Sequence, residues 1–225
     1  MVLDTEKITN DLQTRGWYLH TGHESEIALR QSFGFLGDVL LQSHIKILHG
    51  FSSPPTPNTP FGMRLHTDAP CADYVLWHCL CEGEVGEFIQ LCHVNHVINL
   101  LSSQEKKALS RLYADQVSME AKHQLISSYF DFPVLYGSNL ECMNFAHWLS
   151  YGTQENVQHA AIKKLRTAVE DTILSSAVES IFLRKGQVLV VDNKRLLHGR
   201  TVLSEHSRRF HMRYWFRSNM NRKAT

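Results

Sequence analysis

A chain of 225 residues with 43% hydrophobic and 20% charged side chains has the size and composition of one soluble domain with a full core. Its formal net charge of +1 gives no electrostatic case for nucleic acid or membrane as the main partner. No apolar run reaches transmembrane length, and Met1-Val2-Leu3-Asp4-Thr5-Glu6 lacks the basic and apolar regions of a signal peptide, so the expected compartment is the cytoplasm.

In chain order, residues from about 4 to 14 read as an amphipathic helix with Ile8 and Leu12 at i,i+4 spacing, ended by Gly16. Trp17-Tyr18-Leu19-His20 reads as a strand. The apolar stripe of Ile27, Leu29, Phe33, Leu36, Leu40 and Leu41 predicts a second helix over roughly 24–43. Ile45-Lys46-Ile47-Leu48 alternates like a strand, and the four prolines between Pro54 and Pro60 make a surface loop. Asp73 to Leu80 and Phe88 to Cys92 are rich in strand formers, with Glu82-Gly83-Glu84-Val85-Gly86 turning the chain between them. Ser102 and Glu105 form a capping box and start a helix. Residues from about 117 to 150 carry no single period, though Phe130, Phe132 and Tyr136 around Pro133 suggest a strand or a lid. Val157, Ala161, Leu165, Val169 and Ile173 recur every four positions and predict a helix over about 154–175. Ser180 to Leu183 and Gln187 to Val191 flank Lys185-Gly186, which reads as a tight hairpin turn. Five cysteines, Cys71, Cys79, Cys81, Cys92 and Cys142, are an odd number without a disulfide framework and read as reduced structural thiols.

The last stretch fixes a geometry. As a strand it puts Arg209, His211, Arg213 and Trp215 on one face and Phe210, Met212, Tyr214 and Phe216 on the other. A basic face looking into a polar cavity, with an apolar face under helices, fits a jelly roll.

The candidate site centres on His66-Thr67-Asp68. A histidine and a carboxylate two positions apart point the same way on extended backbone, and both ligate first-row metals. Asp192-Asn193-Lys194-Arg195-Leu196-Leu197-His198-Gly199-Arg200 adds a second histidine. Two histidines and one carboxylate, leaving open positions, make the facial triad of non-haem Fe(II) oxygenases. His93 and His96, three apart, lack a third ligand and read as structural; His78 and His211 read as residues around the cavity, and Trp77 and Trp215 as core aromatics.

From about residue 61 onward these motifs together resemble the taurine dioxygenase and clavaminate synthase-like family of Fe(II)/2-oxoglutarate oxygenases: His66-Thr67-Asp68, Asp73 to Leu76 through Gly86-Glu87, Gly186 to Arg200, and Arg208 to Arg213. His66 and His198 stand about 130 residues apart, which fits strands from the two ends of a jelly roll meeting at one metal. The resemblance implies one domain over 1–225, mainly β with flanking helices: a double-stranded β-helix, or jelly roll with a cupin-like core, over 61–225. It would carry a helical insert at about 100–175, with a helix–strand N-terminal part over 1–60. It implies iron ligation by His66, Asp68 and His198, with 2-oxoglutarate and O2 filling the remaining positions. Arg209 would hold the distal carboxylate of 2-oxoglutarate, for which a planar, always-charged fork is suited. Arg213, further along the same face, would hold an anionic group of the substrate or assist the cosubstrate.

One departure stands out: where family members often carry a cosubstrate-binding threonine, this chain reads Val85-Gly86-Glu87-Phe88. Asp68 itself separates the chain from related halogenases, which keep a small residue there. The implied reaction is oxidation, foremost hydroxylation, of an unactivated C–H of a small polar or amino-acid-derived substrate, free or carrier-tethered, with release of succinate and CO2. The rival readings are a cupin-like metalloenzyme that does not use 2-oxoglutarate and a non-catalytic jelly-roll binding module. Oligomeric state is left open.

Overall fold

The computed structural model describes residues 4–22, 26–47, 57–117, 128–153 and 155–219. Helix α1 (Thr5–Arg15) starts at Asp4, whose carboxylate accepts from the Lys7 amide at 3.0 Å. It ends at Gly16, where φ of 79° supplies the left-handed turn that frees the chain for β1 (Trp17–His20). Helix α2 (Glu26–Phe33) runs into a single 3-10 turn, and strand β2 (Asp38–Lys46) follows at once.

The expectation of one helix over 24–43 is therefore corrected over its second half. Gly37 adopts φ 124°, and a side chain there would collide with the Arg217 carbonyl. Backbone that only glycine tolerates breaks the helical path, and Asp38 onward pairs as a strand.

The central elements are β3 (Met63–His66), β4 (Tyr74–Cys81), β5 (Ile89–His93), α3 (Val94–Ile98) and α4 (Ser103–Leu109). Ser102 and Glu105 cap α4 reciprocally, as read from the sequence. Among the described residues, the unassigned stretch and its approach hold short pieces: β6 (Ala114–Val117), α5 (Ser128–Asp131), β7 (Leu135–Tyr136), β8 (Cys142–Met143) and β9 (Leu149–Tyr151). Helix α6 (Asn156–Thr172) matches the four-residue apolar repeat. The chain closes with β10 (Glu179–Ile181), β11 (Val188–Asp192), β12 (Leu196–Arg200) and β13 (Phe210–Arg217). The proline-rich stretch lies outside the described residues, apart from 57–60.

Two large antiparallel sheets result, one ordered β1-β11-β4-β13-β2 and one ordered β10-β5-β12-β3, beside the two-stranded pairs β6-β9 and β7-β8. Gly186 makes a turn, with φ 84° and its N–H donating to the Cys79 carbonyl at 2.8 Å, but the expected hairpin is absent. Strand β10 pairs with β5 while β11 pairs with β4 and β1, so the turn carries the chain from one sheet to the other.

Alternation along each strand sorts the core into layers. Trp77, Leu91, Leu189, Val191 and Trp215 lie between the sheets. Leu76, Val190, Tyr214 and Phe216 face outward under Ile8, Leu12, Leu29 and Phe33 of α1 and α2. Cys92 and Leu197 face the other way, under Val97, Leu109, Leu165 and Val169 of α3, α4 and α6. Tyr214 and Phe216 are 0% and 1% exposed, and burying such side chains stabilises by about 1.5–3 kcal/mol each. The opposite face of β13 is then committed to the space between the sheets.

A buried histidine–aspartate–histidine cluster between the sheets

His66 and His198 are direct register partners across β3 and β12. Their imidazoles sit side by side, ring centroids 4.5 Å apart, facing the opposite sheet. Asp68 lies beyond the end of β3, where no ladder holds it, yet its backbone is pinned. The Thr67 amide donates to the Phe145 carbonyl at 2.8 Å, and the Phe145 amide returns a bond to Thr67 Oγ1 at 3.0 Å. Buried Asn193 clamps the rest: its Oδ1 accepts from the Asp68 amide at 2.8 Å, and its Nδ2 donates to the carbonyls of Asp68, Ala69 and Ala72 at 3.2, 3.3 and 3.0 Å. The Asp68 carboxylate itself accepts from Trp215 Nε1 at 2.8 Å and from Arg213 Nη1 at 3.3 and 3.4 Å.

The three side chains are 3–4% exposed, and one ligand atom from each lies within 4.8 Å of the others. His66 Nε2 is 3.9 Å from Asp68 Oδ1 and His198 Nε2 is 3.7 Å from Asp68 Oδ2. Those separations are too long for hydrogen bonds, but they suit ligands that each stand about 2.0–2.2 Å from a shared ion. Both ring nitrogens of His198 are buried without a hydrogen-bond partner, which an ion at Nε2 would relieve. His66 Nδ1 lies 2.8 Å from the Arg64 carbonyl, so the proton belongs there and the Nε2 lone pair faces the cluster. Burial first, then the neighbouring His198, lowers the His66 pKa to about 3, so its ring is neutral at neutral pH. Burial alone would raise the Asp68 pKa; the Arg213 guanidinium and the two imidazoles outweigh it and hold the carboxyl below the usual carboxylate range. Two imidazoles and one carboxylate fit a divalent first-row ion with open positions.

A pocket adjoins the cluster, walled by Trp77, Arg200, Arg209, His211 and Arg213. Arg209 is 7% exposed and lies beside His211, with its Nε and Nη2 each 3.4 Å from a ring nitrogen; its Nη1 is buried with no hydrogen-bond partner. Arg200, also 7% exposed, donates from Nη2 to the Thr59 carbonyl. Burial lowers the Arg209 pKa to about 10, with Glu87 and Cys79 opposing it. Burial and the charge of Arg209 lower that of Arg200 to about 9, again against Glu87. Burial, then Arg209 and His78, keep His211 well below the ordinary imidazole range.

Of the residues singled out in the sequence, His66, His198, Arg209 and Arg213 line one pocket, and Asp68 stands beside it against both histidines and Arg213. Arg213 lines the pocket and is braced there: its Nη1 donates to Asp68, and its Nε donates to Ser43 Oγ at 3.3 Å. His93 caps α3 and His96 is exposed, so those two make no metal pair. His78 stands opposite Val188 and Met212 on the helix side of its sheet, while His211 lines the pocket. Trp77 and Trp215 are more than core aromatics, since Trp77 packs on His198 at 5.0 Å and Trp215 holds Asp68. Sequence reasoning missed Asn193 and Arg200 altogether. Their signals were there: Asn193 follows Asp192 in the second motif, and Arg200 is two strand positions beyond His198.

Residues 15–215 match the family described as taurine catabolism dioxygenase TauD, TfdA family. Among solved structures, an asparagine oxygenase in complex with Fe(II), 2S,3S-3-hydroxyasparagine and succinate is 15% identical; the match covers 96% of this chain and 80% of that one, with a TM-score of 0.72. The non-heme iron oxygenase OrfP in complex with Fe, succinate and (3S)-hydroxy-L-Arg is 17% identical, covering 97% of this chain and 81% of that one, with a TM-score of 0.74. The same oxygenase with Fe and alpha-ketoglutaric acid matches at 20% identity, 88% and 66% coverage and a TM-score of 0.68. No curated protein gives a sequence match.

Proposed function

The chain belongs to the TauD/TfdA family of Fe(II)/2-oxoglutarate-dependent oxygenases, and on that premise we propose that His66, Asp68 and His198 bind its iron. Arg209 holds the distal carboxylate of 2-oxoglutarate, and the product is a hydroxylated amino acid or amino-acid-derived molecule. The observation that carries this reading is the convergence of three buried ligand atoms beside a pocket into which Arg209 brings an unpartnered Nη1. The substrate class is supported by the hydroxylated asparagine and arginine in the related oxygenases, whether the molecule here is free or carrier-tethered. We take residues 1–225 as one oxygenase domain, with the two facing sheets forming a double-stranded β-helix. Five cysteines outside any disulfide fit a reducing compartment, the cytoplasm.

Iron, when bound with 2-oxoglutarate and O2, supplies the oxidation of an unactivated C–H, with succinate and CO2 released. The chain's own residues set the conditions for it. His66 and His198 present ring nitrogens from adjacent strands, so the spacing of those two ligands is fixed by the sheet and not by a loop. Trp215 and Arg213 orient the Asp68 carboxylate and share its negative charge. Arg209 offers a planar two-pronged donor to a carboxylate. Arg213, braced on Asp68 and Ser43, places positive charge where an anionic group of the substrate can meet it. Trp77, packed on His198, keeps water off that side of the ligands.

The test is a visible spectrum of Fe(II)-loaded protein under nitrogen, before and after 2-oxoglutarate. A broad charge-transfer band that requires 2-oxoglutarate, and is lost in Asp68→Ala together with succinate formation, is the expected result. Full succinate production by Asp68→Ala would overturn the ligand assignment. Bound iron without any band would point to a metalloenzyme that does not use 2-oxoglutarate.

A further inference from the structure

The pocket holds a third arginine, Arg200, to which the sequence motifs gave no role. We propose that Arg200 is the other half of the anchor for the distal carboxylate of 2-oxoglutarate, paired with Arg209 in place of the hydroxyl that Phe88 cannot supply; this rests on the functional reading above.

Strand geometry puts Arg200 there. It stands two positions beyond His198 on β12, so both side chains leave the same face of the strand, and both line the same pocket as Arg209. Arg200 and Arg209 are each 7% exposed, and they arrive from facing sheets, β12 in one and the approach to β13 in the other. Among the described residues Glu87 faces both guanidinium groups, and its oxygens accept from the Ser204 amide at 2.8 Å and from Ser207 Oγ at 2.7 Å. Arg209 Nη1, buried at the pocket and without a hydrogen-bond partner, marks where a carboxylate oxygen would accept, and Arg200 lines the same pocket. The donation from Arg200 Nη2 to the Thr59 carbonyl holds the side chain by one nitrogen and fixes the plane of the fork.

Glu87 also accounts for the departure at this turn. By locking Ser204 and Ser207 it positions the segment that leads into Arg209, whose amide donates to Ser207 Oγ at 3.2 Å. The turn therefore supports the arginine pair from behind and does not touch the cosubstrate itself.

The test is calorimetric titration of Fe(II)-loaded protein under nitrogen with 2-oxoglutarate and with 2-oxopentanoate, which has the same chain length but no distal carboxylate. Arg200→Gln is expected to raise the Kd for 2-oxoglutarate roughly 10- to 100-fold, the range for a hydrogen bond to a charged group, while leaving the Kd for 2-oxopentanoate and iron uptake unchanged. An unchanged 2-oxoglutarate Kd overturns the proposal. So does an equal weakening of both acids or a loss of iron, since either marks Arg200 as a purely structural support for Thr59. Arg200→Lys keeps the charge but not the fork and guards against misfolding of the first variant; it is expected to weaken 2-oxoglutarate severalfold and selectively, and no change overturns the proposal. If wild type and Arg209→Gln both fail to distinguish the two acids, the 2-oxoglutarate reading itself fails. If Arg209→Gln is selective and Arg200→Gln is not, only the paired anchor fails.

Discussion

Asp68 holds its position through two neighbours on one strand. Trp215 Nε1 donates to the same carboxylate oxygen that faces His198, and Arg213 Nη1 spans both oxygens. The Trp215 bond is the shorter, at 2.8 Å against 3.3 and 3.4 Å, so it should govern the orientation of the ligand. Trp215→Phe keeps an aromatic side chain, though a smaller one, and removes the N–H donor. Partners of this kind typically weaken metal binding 10- to 100-fold when removed, so a drop of about tenfold in Fe(II) affinity is expected, with about 1–2 kcal/mol of lost stability from the carboxylate left short of a donor. Competition titration with a metal indicator and a denaturant melt would check the two figures separately. Iron affinity equal to that of wild type would show that Arg213 alone orients Asp68. Asn193→Ala acts one step further back. It frees four hydrogen bonds that shape residues 68–72, so it is expected to cost stability first, by about 2–4 kcal/mol for buried polar groups left unpaired, and iron affinity as a consequence.

At the scale of elements, the pairing of β3 with β12 sets the distance between the two histidines, and Gly199 sets the closeness of that pairing. A Cβ at Gly199 would stand 2.5 Å from the Met63 carbonyl oxygen and 3.1 Å from the Arg64 carbonyl carbon. Gly199→Ala must push the strands apart between His198 and Arg200, where the register already shifts. We expect a loss of about 1–3 kcal/mol, as for other overpacked sites, and weaker Fe(II) binding in the variant that remains folded; a melt and an iron titration at matched temperature would check both. Elements also explain what could be read from the chain. The two faces of β13 were legible because period-two alternation is local. The ligand types were legible because His66-Thr67-Asp68 and His198-Gly199-Arg200 are contiguous motifs. The stretch after Gly37 was not, since Leu36, Leu40 and Leu41 satisfy a helix as well as a strand, and the strand that captures it lies at the other end of the chain. The turn at Lys185-Gly186 was legible but its consequence was not, because each flanking strand finds its partner elsewhere. For the same reason Asn193, Trp215 and Arg200 became recognisable only in three dimensions: each acts on a residue from a distant segment.

Across the whole molecule, helices on the outer faces of both sheets reserve the inner space for the cluster and the pocket. That placement buries histidines that the unfolded chain would protonate in mild acid. His211 is 2% exposed and its pKa is held well below the imidazole value, by burial first and by Arg209 next. Burial likewise lowers His147, to about 4. A histidine with a depressed folded-state pKa contributes full stability above its unfolded pKa of about 6.5. Below that, the unfolded chain takes up a proton that the folded chain refuses, so stability falls as pH drops toward the folded value. Each such group adds a slope of at most about 1.4 kcal/mol per pH unit, and His147, being less buried, should add less than His211. The metal-free protein is therefore expected to be stable and flat from pH 8 to 7 and to lose stability progressively from pH 6.5 to 5. In His211→Gln the absolute stability at pH 8 should fall, because Arg209 loses the ring beside it, while the decline below pH 6.5 becomes shallower. Denaturant melts of both proteins across that range measure the slopes directly. Parallel slopes would mean that His211 takes up its proton without unfolding, and that the space between the sheets admits more water than its burial indicates.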